Sequence, residues 1–305
     1  ADKLEPFLQP QREPELYITI PKSVRIEELD PFSIEAQNQV ALRSIGNSDD
    51  PDIATTRTET SQPRFTALTV YIEFTVDNIR EGLQFVGVDS GDRRYPHVYT
   101  TNATGLGAGS SLFPCVDDPL SRCTWEISIR CPCSLSDVFG ARSTDGALSS
   151  AEGTAKSAMN GVRPSGLSAD DDTLDMSVVC SGDMTDEIVD PRDPSKKTVS
   201  FACAANLSAQ QIGFAVGPFE YVNLSEFRES DQDDQLGQNA VPVHAFCLPG
   251  RAEDVRNTCF PMARAVDYFS MTYGSYPFSS CKFCFVDDAP QDTTVTASLS
   301  ICSNH

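Results

Sequence analysis

The residues that could do chemistry are few and poorly spaced for it. Histidine, the usual general base and metal ligand near neutral pH, occurs only at His97, His244 and His305. No two of these stand four apart beside a glutamate, the spacing that brings two imidazoles to one helical face around a hydrolytic zinc. Cysteine offers two chelate-like spacings, Cys131-Pro132-Cys133 and Cys281-Lys282-Phe283-Cys284. The second falls in a strand-like stretch, where residues three apart point to opposite faces, and no second C-x-x-C pair follows at zinc-finger spacing. Both are read as packing thiols. There is no G-x-S-x-G nucleophile elbow. The run Gly105-Leu106-Gly107-Ala108-Gly109 lacks the Lys and Ser/Thr of a phosphate loop and a clear helix after it, so it reads as a turn. The basic pairs Arg93-Arg94 and Lys196-Lys197 are too short to line a nucleic-acid groove. Residue chemistry by itself therefore assigns no catalytic, metal-binding or cofactor-binding residue.

The elements that would position such residues are set by a chain of 305 residues and 33.2 kDa, 40% hydrophobic and 9% aromatic. That is enough for one large or two ordinary domains with packed cores. Lys plus Arg number 23 against 44 Asp plus Glu, a net charge of -21, which excludes a simple basic nucleic-acid binder. No run approaches the roughly 18 apolar residues needed to span a bilayer. The opening residues have no signal-peptide pattern, and the chain, starting without Met, reads as an excerpt of a longer one. Its 11 cysteines, odd in number and scattered, fit reduced thiols in an intracellular compartment. The competing view is a secreted module glycosylated at Asn102, Asn206 or Asn223, each of which opens an N-x-S/T triplet.

Alternation of apolar and polar residues predicts strands over 16–20, 66–77, 83–88, 123–129, 176–180, 187–189, 198–202 and 211–216. Polar turns separate them, notably Asp190-Pro191-Arg192-Asp193-Pro194. Residues 30–63 read as a long connection with one short helix at 33–42. In the segment 140–173, 21 of 34 residues are Gly, Ala, Ser or Asp, a composition that predicts a flexible insertion. The acidic run 226–234 reads as a solvated loop. From residue 251 the period changes. Val255, Cys259, Met262, Ala263, Val266, Phe269 and Tyr273 recur at three- and four-residue steps, predicting one helix ended by Gly274, after which 281–286 returns to strand.

Several segments, in order, resemble the zinc aminopeptidase family typified by aminopeptidase N. Leu112-Phe113-Pro114-Cys115-Val116-Asp117-Asp118-Pro119 is similar to its F-P-C-x-D-E-P motif. Gly213 to Tyr221, ending Gly217-Pro218-Phe219-Glu220-Tyr221, is similar to its end-of-domain G-x-F-E-Y strand. Cys247-Leu248-Pro249-Gly250, the helix that follows, Tyr276-Pro277-Phe278 and the strand from Cys281 to Asp287 are similar to the entry of its thermolysin-like domain. The likeness covers most of 65–305 and implies a mainly β fold. A saddle-like antiparallel β domain of aminopeptidase N type (1–222, with the insertion 140–173) is followed by an acidic linker and crossover strand (223–247). The truncated start of an α+β thermolysin-like domain (248–305) completes it.

The departures share one direction. Where the peptidases carry G-A-M-E-N, whose Glu holds the substrate's α-amino group, this chain has Ala297-Ser298-Leu299-Ser300-Ile301, with Ser300 at the Glu position. A neutral hydroxyl cannot make the charge-assisted bond that anchors an ammonium. With Cys123-Thr124-Trp125-Glu126, the run His244 to Pro249 and Phe285-Val286-Asp287-Asp288-Ala289, the pattern resembles a non-catalytic branch of the family whose members are subunits of the general transcription factor TFIID. That resemblance implies a nuclear scaffold without catalytic residues, metal or cofactor, supporting assembly and engagement of the initiator region of core promoters. The implied partners are other TFIID subunits, subunit 8 in particular and the TATA-binding protein, with promoter DNA reached through the assembled complex. Phe113, Pro114, Cys115, Asp117, Trp125, Gly217, Phe219 and Glu220 are then structural motif positions, Phe113 to Pro119 forming a conformational lock. Trp125, Phe219 and Tyr221 are expected in the core. The alternatives are an active zinc aminopeptidase with an unusual amino-group anchor and a secreted β-rich module.

Overall fold

The computed structural model describes residues 16–30, 65–77, 79, 82–89, 92–101, 109–140, 170–228 and 240–304. The backbone divides into two units, 1–75 and 76–305. In the first, the strands expected at 16–20 and from 66 onward do not form. Alternation produces a strand only where a neighbour completes the ladder. Here the described residues supply one antiparallel bridge, Glu28 to Phe65, and one flanking bond, Thr66 N–H to the Glu27 carbonyl at 3.0 Å. The short helix expected at 33–42 and nearly all of the insertion 140–173 lie outside the described residues, as do Asn102 and 105–108.

Within 76–305 the structure is mainly β. The strands are β1 (Leu83–Val86), β2 (His97–Thr100), β3 (Cys123–Pro132), β4 (Ser177–Cys180), β5 (Asp183–Asp190), β6 (Asp193–Leu207), β7 (Phe214–Gly217), β8 (Glu220–Asn223), β9 (Val243–Cys247), β10 (Cys281–Val286), β11 (Thr293–Val295) and β12 (Leu299–Ser303). Among the described residues three α-helices accompany them: α1 (Leu135–Gly140), α2 (Ala252–Cys259) and α3 (Met262–Tyr273). One sheet runs β1-β2-β7-β4 and another β3-β6-β5, both wholly antiparallel. The third runs β11-β12-β10-β9-β8, with β9, β10 and β12 parallel and an antiparallel strand at each edge.

The cores show how these sheets stack. Val86, Tyr99, Val179 and Ala215 of the four-stranded sheet bury against Cys284, Val286, Leu299 and Ile301 of the five-stranded one. Val178 and Phe214, on the other face of the four-stranded sheet, meet Val199 and Phe201 of β6. Val255, Cys259 and Ala263 of the helices cover the remaining face of the five-stranded sheet at Val243, Ala245, Cys247 and Cys281. A parallel sheet covered on both faces is apolar at nearly every position, which is why β9 reads VHAFC and β10 CKFCFV. Cys281 and Cys284 point to opposite faces, one into each core.

The helix expected from 251 is two helices. Pro261 has no N–H to donate and its ring crowds the preceding turn, so α2 stops at Cys259 and α3 restarts at Met262. Tyr221 is a second correction. It lies on the edge strand β8 and is 54% exposed rather than in the core.

Candidate functional site

The F-P-C motif folds as a turn tied down by its own aspartates. The Leu112 and Phe113 amides both donate to the Gly109 carbonyl, at 3.0 and 3.3 Å. Asp117 accepts from the Ser110 amide at 3.1 Å and from Gln210 Nε2 at 3.0 Å, while Asp118 accepts from the Leu120 amide at 2.9 Å. Phe113 meets Trp125 edge-on, centroids 5.8 Å apart, and Trp125 Nε1 donates to the Leu207 carbonyl at 2.8 Å. Burial, with Asp117 beside it, pushes the Cys115 thiol up to about 11. A thiol so raised carries almost no thiolate near neutral pH and is a poor nucleophile.

The second motif joins the sheets. Gly217 ends β7 where an added Cβ would come within 2.7 Å of His97 Cβ and 3.0 Å of the Phe219 ring. Phe219 is buried in the core shared by the two larger sheets, and Glu220 accepts from the Gly250 amide at 3.2 Å. His97 spans from β2 to the turn after β10. Its Nδ1 lies 2.8 Å from the Tyr95 carbonyl and its Nε2 accepts from the Asp287 amide at 3.2 Å. These two partners require a neutral ring protonated on Nδ1, and burial holds its pKa below the ordinary histidine value. Tyr99 also donates to the Asp287 carbonyl, at 3.1 Å, and Asn304 to the Asp287 carboxylate, at 2.9 Å.

The segment Ala297-Ser298-Leu299-Ser300-Ile301 is largely packed into the protein, with Ser300 part-buried. Ala297, Leu299 and Ile301 are buried in core clusters. Ser298, at φ 58°, gives its carbonyl to the Lys282 amide and its hydroxyl to the Gly182 amide, at 2.9 and 3.0 Å. Ser300 sits on β12 in register with Phe283 on one side and Val295 on the other. Its neighbour Thr296 lies 3.2 Å from the Ser181 hydroxyl, which in turn accepts from the Gly213 amide at 3.0 Å. The turn between β4 and β5 is thus gripped by the five-stranded sheet. Lys282 completes the grip. Its ammonium donates to the carbonyls of Cys180, at 2.7 Å, and Gly182, and lies 5.9 Å from the Phe201 ring centroid. Burial lowers its pKa.

No combination of these groups makes a nucleophile and its base. Both nitrogens of His97 are engaged, and His244 Nδ1 meets the Tyr221 hydroxyl at 2.9 Å. Burial is the first cause raising every thiol that is shifted, from Cys115 to Cys302. Among the described residues no three His, Cys, Asp or Glu side chains gather as metal ligands, and no helix is long and apolar enough to cross a membrane. The features the sequence did not reveal are Lys282, His97 and the Arg228–Asp267 pair, in which two contacts of 2.7 and 2.9 Å join side chains 7% and 3% exposed. The one available signal was a charged residue in an apolar rhythm: Lys282 within KFCFV and Asp267 between Ala263 and Ser270.

The chain is 38% identical over 252 residues to transcription initiation factor TFIID subunit 2 of Schizosaccharomyces pombe, covering 78% of this chain and 21% of that protein. It is 21% identical over 373 residues to the protein of the same name in Saccharomyces cerevisiae, covering 95% of this chain and 26% of that one. Among solved structures, native yeast LTA4 hydrolase is similar at 15% identity and a TM-score of 0.48, over 75% of this chain and 26% of that chain. No family profile matches. The chain spans about a fifth to a quarter of the length of these curated relatives. Over that span, the chain is a relative of the TFIID subunit 2 proteins.

Proposed function

We propose that the chain is a non-catalytic scaffold portion of a TFIID subunit, acting in the nucleus in assembly of that factor and its engagement of core promoters around the initiator. Its partners are the other TFIID subunits, subunit 8 and the TATA-binding protein among them, and promoter DNA is met through the assembled complex. The observation that carries this reading is the 38% identity to the fission yeast TFIID subunit 2 across 78% of the chain. The geometry supports its non-catalytic half. The segment matching the amino-group anchor offers no carboxylate, and its Ser298 and Thr296 hydroxyls already bond within the fold. Phe113, Pro114, Cys115, Asp117, Trp125, Gly217, Phe219 and Glu220 act as structural positions. On the same reading residues 1–222 form the β domain, 223–247 the connection and 248–305 the start of a thermolysin-like domain.

The test is affinity purification of the native full-length protein from nuclear extract with mass spectrometry of what accompanies it. TFIID subunits in near-constant proportion are the expected result. A lone protein carrying stoichiometric zinc and releasing N-terminal residues from peptides refutes the reading in favour of an active aminopeptidase.

A further inference from the structure

We infer that β5 is a docking edge for an extended, basic segment of a partner protein, which adds to the three-stranded sheet as a further antiparallel strand. In the order β3-β6-β5, β5 is an outer strand, and among the described residues nothing pairs with its free side. Every residue from Asp183 to Val189 is exposed. Register places Met184 and Glu187 opposite the inward-facing Phe201 and Val199, and Asp186 and Ile188 opposite Ser200 and Thr198 on the other face. Apolar side chains are therefore exposed on both faces of one edge: Met184 at 61%, Ile188 at 54% and Val189 at 51%. A free strand edge with apolar residues on both sides is a template for another chain.

The charges select the occupant. Asp183, Asp186, Glu187 and Asp190 all lie on β5, and like charges set directly opposite destabilise a strand pair. Two copies of this edge therefore repel each other, as they would in a chain of net charge -21 generally. Glu187 is already paired with Lys197 at 2.6 Å and Asp190 with Arg130, whereas among the described residues no cation pairs with Asp183 or Asp186, opposite Ala202 and Ser200 on one face. A strand alternating Lys or Arg with β-branched residues sets cations beside these two carboxylates and covers the apolar side chains. Bulges between Met184 and Asp186 and between Val189 and Asp190 interrupt the ladder, so the regular stretch is short and the docked segment is short with it. The edge is also held rigid before binding. Lys282, Ser298 and Ser279 grip the turn that opens β5, at Cys180, Gly182 and Asp183, which limits the ordering cost on docking. This inference uses the scaffold reading only to say that the strand comes from a protein partner; the experiment reads the edge itself.

The probe is a labelled, end-blocked heptapeptide, Lys-Val-Arg-Val-Lys-Val-Arg, titrated by fluorescence anisotropy into the 305-residue chain at about 0.15 M ionic strength. Its counterpart has Glu and Asp at the charged positions. The basic peptide is expected to bind at least about tenfold more tightly than the acidic one. Amide exchange in residues 184–189 of the unsubstituted chain is expected to slow on binding. Asp186→Lys and Ile188→Lys, both on the exposed edge, are each expected to weaken binding about tenfold while leaving the thermal midpoint in place. Absence of binding, equal binding of the two peptides, indifference to the substitutions or protection elsewhere in the chain each overturns the inference, whether or not the protein purifies with TFIID.

Discussion

Removing the carboxylate of Asp267 tests what holds α3 to the five-stranded sheet. Arg228 follows the 3-10 turn Leu224–Phe227 after β8, and its guanidinium forks onto Asp267 through Nε at 2.7 Å and Nη2 at 2.9 Å, with a third bond to the Val241 carbonyl at 2.6 Å. With both side chains nearly inaccessible, Asp267→Ala strands a buried cation whose remaining bond is to a carbonyl. Breaking such a pair costs about 3–5 kcal/mol, a large share of the roughly 5–15 kcal/mol that stabilises a folded protein. At a urea dependence of about 3 kcal/mol per M, the unfolding midpoint should fall by about 1–1.7 M. Followed by far-ultraviolet circular dichroism, Asp267→Asn should fall between Ala and the parent, because it keeps one acceptor oxygen. The double variant Arg228→Met, Asp267→Leu should recover most of the loss, since apolar replacement of both partners is near neutral. A shift under about 0.3 M for Asp267→Ala, corresponding to about 1 kcal/mol, or a double variant as unstable as the single one, would refute the assignment of this pair as the anchor.

Three further outcomes follow from the same geometry. Gly217→Ala should destabilise by about 1–3 kcal/mol through overpacking, because the new methyl meets His97 Cβ at 2.7 Å; denaturant unfolding reads it, and an unchanged midpoint rejects the close approach. Burial lowers the folded-state pKa of His97, so its contribution is fully present above the unfolded value of about 6.5 and is lost as pH falls from there toward the folded value; His97→Gln should flatten that part of the stability profile between pH 7.5 and 5. Ser300→Glu in the full-length protein should leave aminoacyl-p-nitroanilide hydrolysis at background, and any turnover restored by that single change argues for a latent peptidase.

The strands were legible where the fold covers them and misread where it does not. Val199, Phe201 and Cys203 alternate inward along β6 and define it, although the strand runs from Asp193 to Leu207, well beyond 198–202. Leu68, Val70, Ile72 and Phe74 alternate as regularly, yet no ladder forms there, because periodicity records which face could be buried and not whether a neighbour is present. The recurrence at three- and four-residue steps from Val255 to Tyr273 is helical, but Pro261 divides it. The polar anchors were harder, since each partner is remote in sequence. Lys282 reaches Cys180 across 102 positions and Arg228 reaches Asp267 across 39. No local rhythm encodes a bond of that span; only the oddity of a charge inside an apolar run marks it.

If the segment 297–301 stands at the amino-group anchor, as proposed, loss of one carboxylate does not stand alone. In register, residue 300 lies between Phe283 and Val295, so a glutamate placed there begins next to apolar neighbours and needs a compensating cation or a solvated path. The adjacent hydroxyls are already committed: Ser298 to the Gly182 amide, Thr296 to the Leu299 carbonyl at 2.9 Å, and Ser181 to the Gly213 amide. Withdrawing Ser298 or Ser181 to serve a ligand leaves the Gly182 or Gly213 amide without that acceptor, at about 1–3 kcal/mol apiece, whereas the Leu299 carbonyl keeps the Thr296 amide at 2.8 Å. From β10, Lys282 Nζ also bonds the Cys180 and Gly182 carbonyls of the β4–β5 turn. On that reading, restoring recognition of a free amino group requires several coupled changes rather than one, and among the bonds that would have to break is the one from Ser298 to Gly182, which ties the five-stranded sheet to the β4–β5 turn.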